Sequence, residues 1–149
     1  MPSASQYSFR QCAEEDRVWA YALKSEAYHE VVERQFGPWE EQFQRELFSA
    51  RWNPAISKIL LVDGKAAGLV AVEDRSDGVW IDEVQVVREW RGKGLGSSII
   101  QALLNRARAA HKPLKLQVLK ENMRAQNFYC RLGFSLIGGT KTHYLMEAR

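Results

Sequence analysis

Three glycines alternate in Arg91-Gly92-Lys93-Gly94-Leu95-Gly96, and the chain changes period across them. Upstream, Val79, Ile81, Val84, Val86 and Val87 make an apolar strand-like stretch, broken by Asp82 and Glu83. Downstream, Leu95, Ile99, Ile100, Leu103, Leu104 and Ala107 keep helical spacing. A strand, a glycine loop and a helix in immediate succession commit the chain to an α/β fold with a helix N-terminus at a strand end. Glycine lets backbone N–H groups converge on a ligand without side chains in the way. The free amides and dipole of the helix start add positive potential, and Arg91 and Lys93 add full charges. Such a loop suits phosphate. It is not a Walker A loop, which needs Gly-x4-Gly-Lys-Ser/Thr. Nor is it a dinucleotide loop, because Ile99 stands where the third glycine would be.

The rest of the chain surrounds this loop with alternating elements. Residues 6–11 read as a first strand, and Glu14, Glu15 and Asp16 open a helix at its positive end. Val18, Trp19, Ala22, Leu23, Ala27, Val31 and Val32 give that helix one apolar face. Gly37-Pro38 ends it, with Pro38 expected in the first turn of a second helix that stops before Asn53-Pro54. Strands at 58–62, 65–73 and 79–87 form a meander through Asp63-Gly64 and Ser76-Asp77-Gly78. After the long helix and Pro113, a strand at 114–118, a short helix at 124–132 and an antiparallel pair (134–137 and 142–146, around Gly138-Gly139) complete the chain. Its 149 residues fit one domain, read here as residues 1–149, with a mixed β-sheet covered by helices.

Composition excludes several classes. A hydrophobic fraction of 46% and a charged fraction of 26% are ordinary for a globular chain and exclude disorder. The longest apolar runs, such as Ile59-Leu60-Leu61-Val62, fall far short of the ~20 residues of a membrane span. Residues 1–6 lack the pattern of a signal peptide. Cys12 and Cys130 form no CxxC pair, and the three histidines (His29, His111, His143) show no metal-ligand spacing, so no metal is expected. Both features point to a cytoplasmic protein. A net charge of +3 is too mild and too dispersed to favour nucleic-acid binding.

The loop does not stand alone. Arg91-x-x-Gly94-x-Gly96, preceded by the strand Val84-Gln-Val-Val-Arg-Glu-Trp90, resembles the GNAT superfamily of acyl-CoA-dependent N-acetyltransferases, although Arg88 sits where proline is frequent. Asn122-x-x-Ala125-x-x-Phe128-Tyr129-x-x-Leu132-Gly133-Phe134 resembles the second signature of that family, in the expected order and separation. The resemblance implies about six or seven strands, splayed in the centre, with about four helices and acetyl-CoA entering the gap as co-substrate. It implies a diphosphate resting on the amides of Arg91, Gly92, Lys93, Gly94, Leu95, Gly96 and Ser97. It also implies pantetheine bonded to the backbone near Val84 and Val86 and to Asn122. An amide near Val86 would polarise the thioester carbonyl, worth about 3 kcal/mol if well placed. Tyr129 falls on the position of the general acid.

Acetyl transfer to an amine of pKa about 10.4 gains from a base. Glu83 is the leading candidate, with Asp82, Glu73 or a water relay as alternatives. By strict alternation Glu83 and Gln85 share one face of the strand and Asp82 takes the other. Cys130, a quarter-turn from Tyr129 on its helix, is disfavoured as a nucleophile, so direct attack in a ternary complex is expected. The acceptor wall falls on the first two helices, which carry Tyr28, His29, Glu30, Glu33, Phe36, Trp39, Glu40, Glu41 and Trp52. These would suit a small-molecule or peptide amine through ionic and cation–π contacts, and His29 in particular could face it. A non-catalytic acyl-CoA sensor and an RNA-directed or aminoacyl-tRNA acetyltransferase are the competing readings. A homodimer is compatible with the family and has no sequence feature to decide it.

Overall fold

In the computed structural model, which describes residues 7–149, the alternating stretches form seven strands of one sheet. They are β1 (Tyr7–Gln11), β2 (Ser57–Val62), β3 (Lys65–Arg75), β4 (Gly78–Val86), β5 (Leu114–Leu119), β6 (Ser135–Gly139) and β7 (His143–Ala148). Four α-helices cover the sheet: α1 (Arg17–Phe36), α2 (Glu41–Arg51), α3 (Leu95–Ala109) and α4 (Met123–Arg131). The spatial order is β1-β2-β3-β4-β5-β7-β6, and only the β4–β5 pair is parallel. The expected mixed sheet with four helices is thus observed. Gln6, expected to begin the first strand, lies outside the described residues.

Local chemistry sets the boundaries. Asp63 and Gly64 both take positive φ (51° and 76°), the conformation a two-residue hairpin needs to match strand twist. Pro38 does not start α2 as expected. Trp39 holds the connection instead: its N–H donates to Glu33 Oε2 (3.3 Å), its indole N–H to Glu41 Oε2 (2.7 Å), and its ring stacks on His29 at 4.6 Å. Glu40 is therefore extended and α2 begins at Glu41. Gly138 and Gly139 likewise remain in β6 rather than turning. The turn that follows is closed by Thr140 N–H to His143 O (2.8 Å) and His143 N–H to Thr140 Oγ1 (3.0 Å).

Helices α1 and α2 pack Ala20, Leu23 and Phe48 against Ile59 and Leu69 of β2 and β3. Helix α3 packs on two further clusters. Leu95 and Ile99 meet Leu60, Val62 and Val70, while Ile100, Leu104 and Ala107 meet Val79, Ile81, Leu114, Leu116 and Val118. Phe128 and Tyr129 of α4, with Leu132 just after it, join that last cluster.

Two features of β4 shape the cleft. Its pairing with β5 stops after Val79↔Leu114, Trp80↔Lys115 and Ile81↔Leu116, so residues 82–86 and 117–119 lie along separated strands. The sheet opens there as a V. Just at the point of separation β4 carries a bulge: Val72 faces Ile81 and Ala71 faces Glu83, which leaves Asp82 as the extra residue. The extra residue shifts the alternation by one. Ile81 and Val84 consequently share the α3 face, and Glu83 and Gln85 are turned toward α1.

Candidate active site

Helix α3 begins at the mouth of the V. Gly94 is its N-cap with φ 84° and offers no side chain, and the first intrahelical bond runs from Ser98 N–H to Gly94 O (3.0 Å). The amides of Leu95, Gly96 and Ser97 therefore have no intrahelical acceptor, and no side-chain cap replaces one. Helix α4 differs, since Asn122 Oδ1 accepts Ala125 N–H at 3.2 Å. A Cβ placed on Gly92 or Gly94 would meet nothing within 4 Å. The space beside the free amides is thus open, and an anion would satisfy them.

The exposed edge of β4 continues the same line. Val87 N–H donates to Ala67 O on β3 (2.8 Å), so alternation turns the N–H and C=O groups of Val84 and Val86 away from β3, into the V. The Val86 carbonyl is already used: Arg91 Nε donates to it at 2.7 Å. Arg91 also lies 3.5 Å from Glu26 of α1, which pairs with Arg88 at 3.1 Å. Arg91 therefore staples the loop to β4 rather than serving only as a free charge. Lys93 sits 5.0 Å over the Trp90 ring and does not line the cleft.

The cleft has a volume of about 1770 Å³ and gathers most of the residues expected at the site: Glu83, Val84, Val86, Arg91, Gly92, Gly94, Leu95, Gly96, Ser97, Asn122 and Tyr129. Leu95 can offer it only backbone, since its side chain is core. Asn122 Oδ1 is committed to the cap, and its amide nitrogen has no partner among the described residues.

At the centre of the cleft α1, β4 and α4 converge. Glu83, with 10% of its side chain exposed, accepts from Gln85 Nε2 at 2.8 Å and pairs with Lys24 Nζ at 3.3 Å. The Lys24 ammonium also lies 5.9 Å from the ring centroids of Tyr28 and Phe48. Tyr28 stands beside Glu83 and Gln85. Burial first, then the Glu83 and Tyr129 charges, pushes its phenol well above the usual range. Burial, with Glu83 adding to it, pushes Tyr129 up to about 12, so its hydroxyl stays protonated at neutral pH. The Tyr129 ring packs edge-on against Phe128 and Phe134 at 5.2 and 5.3 Å, so it belongs to the core as well as to the cleft.

The alternative bases are differently placed. Asp82, at the bulge, lies 3.8 Å from Arg75, and its carboxyl is pushed up chiefly by burial. Glu73 is paired with Arg75 at 3.0 Å and does not line the cleft. Of the expected acceptor wall, Tyr28, Glu30, Phe36, Trp39, Glu40 and Trp52 do line it, while His29, Glu33 and Glu41 do not. His29 is spent on Trp39 and Glu33. Sequence reasoning passed over two residues of the cleft. Lys24 carried no local signal. His143 is brought in because β7 pairs it with Leu119 at the open end of β5, and burial followed by the Arg51 charge lowers its pKa.

Comparison with known proteins bears on the family and the fold. The model of the acetyltransferase (GNAT) family matches residues 24–134. An uncharacterized N-acetyltransferase of Bacillus subtilis, YobR, is 38% identical over 83 residues, covering 55% of this chain and 32% of that protein. A spermine/spermidine N(1)-acetyltransferase of the same species is 32% identical over 69 residues, 44% of this chain and 45% of its own. The chain spans less than half the length of these relatives. Among solved structures, PaiA N-acetyltransferase of Thermoplasma acidophilum in complex with coenzyme A superimposes with a TM-score of 0.75 at 13% identity, covering 96% of this chain and 98% of that one. Among the described residues no helix is long and apolar enough to cross a membrane.

Proposed function

The chain belongs to the acetyltransferase (GNAT) family, and from that premise we propose that it moves an acetyl group from acetyl-CoA to a primary amine by direct attack in a ternary complex. The observation that carries this reading is the row of unsatisfied backbone amides, from Ser97, Gly96 and Leu95 at α3 to Val86 and Val84 along the open edge of β4. Helix-start amides take the diphosphate and strand-edge groups take the amide-bearing pantetheine arm. That arm delivers a thioester, which supplies an activated acyl carbon and a thiol leaving group. The Val86 N–H is the donor for negative charge developing on the acyl oxygen. Asn122 contributes its free amide nitrogen to the arm.

Glu83 takes the proton of the acceptor ammonium. Of the two β4 carboxylates that line the cleft, Asp82 and Glu83, it is the one turned toward α1 by the bulge and fixed by Gln85. Tyr129 donates to the departing sulfur. With the phenol at about 12 and a thiol near 8.5, full proton transfer would be uphill by roughly 5 kcal/mol at 1.36 kcal/mol per unit, so a hydrogen bond to the thiolate is the favoured role. Two assembled side chains of this kind favour a catalyst over an acyl-CoA sensor.

The acceptor presents its ammonium to Glu83 and the neighbouring rings of Tyr28 and Phe48. The same cleft is lined by Arg34, Arg51, Arg124 and Arg131, which outnumber the acceptor-wall acids Glu30 and Glu40 and so oppose a second cation. Thiol release measured over a panel of amines tests the proposal. Transfer to monoamines, amino acids or peptide N-termini is expected to exceed transfer to polyamines. Absence of transfer to every amine from a protein that binds coenzyme A would overturn the catalytic reading in favour of the sensor.

A further inference from the structure

Lys24 is the one lysine lining the cleft among the described residues. Its ammonium occupies the kind of site an acceptor amine requires: a carboxylate at 3.3 Å and two aromatic rings at 5.9 Å. The side chain is one-third exposed (32%) and ends a flexible four-carbon stem, so its nitrogen can travel from Glu83 toward the neighbouring V. The other lysines are not held against the candidate base; Lys93, for example, is drawn onto Trp90 outside the cleft.

We propose that Lys24 is itself an acceptor, acetylated in cis by acetyl-CoA when no substrate amine is bound. The inference rests on the transferase reading above. The Lys24 ammonium gives one proton to Glu83, which passes it to solvent. The neutral nitrogen then bonds to the acyl carbon as the carbon–sulfur bond breaks with its electron pair on sulfur. The second nitrogen proton ends on that sulfur, giving free coenzyme A thiol and an N-acetyl-lysine amide. The modification removes the cation beside Glu83 and leaves the carboxylate unpaired for an incoming ammonium. Lys24 thus links acetyl-CoA supply to the state of the base.

The test is peptide mass spectrometry of the whole chain after incubation with isotopically labelled acetyl-CoA and no added amine. Label is expected at Lys24, at a rate independent of protein concentration. Because the reactants share one site, that rate should be about tenfold or more above exposed Lys65 and Lys141. Glu83→Gln is expected to bring Lys24 down to the rate of those exposed lysines. Lys24 left unlabelled, or labelled no faster than Lys65 and Lys141, in a sample that binds coenzyme A and acetylates an added amine would overturn the proposal and leave the transferase reading intact. Failure to bind coenzyme A at all would overturn both.

Discussion

Replacing Tyr129 with phenylalanine removes one oxygen and leaves the ring. The ring contacts at 5.2 and 5.3 Å with Phe128 and Phe134 survive, and the hydroxyl makes no hydrogen bond to a described residue, so stability should hardly change. What is lost is one donor to a developing thiolate. Hydrogen bonds to charged groups are worth about 1.5–3 kcal/mol, which converts to a roughly 10- to 150-fold fall in turnover. A full proton transfer would predict a larger loss, but a phenol at about 12 facing a thiol near 8.5 makes that step unfavourable. The pH profile carries the same signature: with its phenol at about 12, Tyr129 should contribute no alkaline limb below about pH 11. The assay is steady-state thiol release at saturating amine, with coenzyme A affinity measured separately by calorimetry. Turnover should fall while affinity holds. Undiminished turnover, or a parallel loss of affinity, would refute the reasoning.

Gly94→Val should weaken coenzyme A binding at least tenfold. The added side chain would occupy the open space beside the free amides, where a Cβ meets nothing of the chain itself, and φ 84° separately costs a non-glycine residue about 1–2 kcal/mol of stability. Thermal unfolding should fall by roughly 3–8 °C in the same variant, and unaltered affinity would contradict the role given to the loop. Asp16 accepts two bonds from Arg10 (2.8 and 2.9 Å) and one from Ala13 N–H (2.8 Å), which hold its carboxyl at about 2 against an ordinary 3.8. A depressed folded-state pKa adds stability above the unfolded value and loses it as protons bind. Stability to denaturant should therefore fall as the pH drops from about 4 to about 2, and Asp16→Asn should flatten that dependence. An unchanged slope in the variant would assign the acid sensitivity elsewhere.

The elements were legible because apolar periodicity and punctuation agree. Asp63-Gly64 turns, Gly133 follows α4, and the strand–loop–helix passage around Gly94 occurs where the residues place it. Departures arose where contacts distant in sequence decide the outcome. Pro38 offers a helix start, yet Trp39 bonded to Glu33 and Glu41 delays it. The bulge was readable: apolar positions 79, 81, 84 and 86 slip by one across Asp82-Glu83, which strict alternation does not allow. Glu83 and Gln85 do share a face, as alternation requires, but the bulge decides that the face looks to α1. Lys24 could not be found from its surroundings in the chain, because its meaning comes from α1 lying over β4, 59 residues away in sequence.

Backbone amide spectra recorded during a coenzyme A titration address the anchor of the account. The N–H resonances of Gly94, Leu95, Gly96 and Ser97 should show the largest shifts, followed by Val84 and Val86, and pantetheine lacking the diphosphate should leave the first group unmoved. Binding of coenzyme A with the 94–97 amides undisturbed, or equal responses to the two ligands, would contradict it.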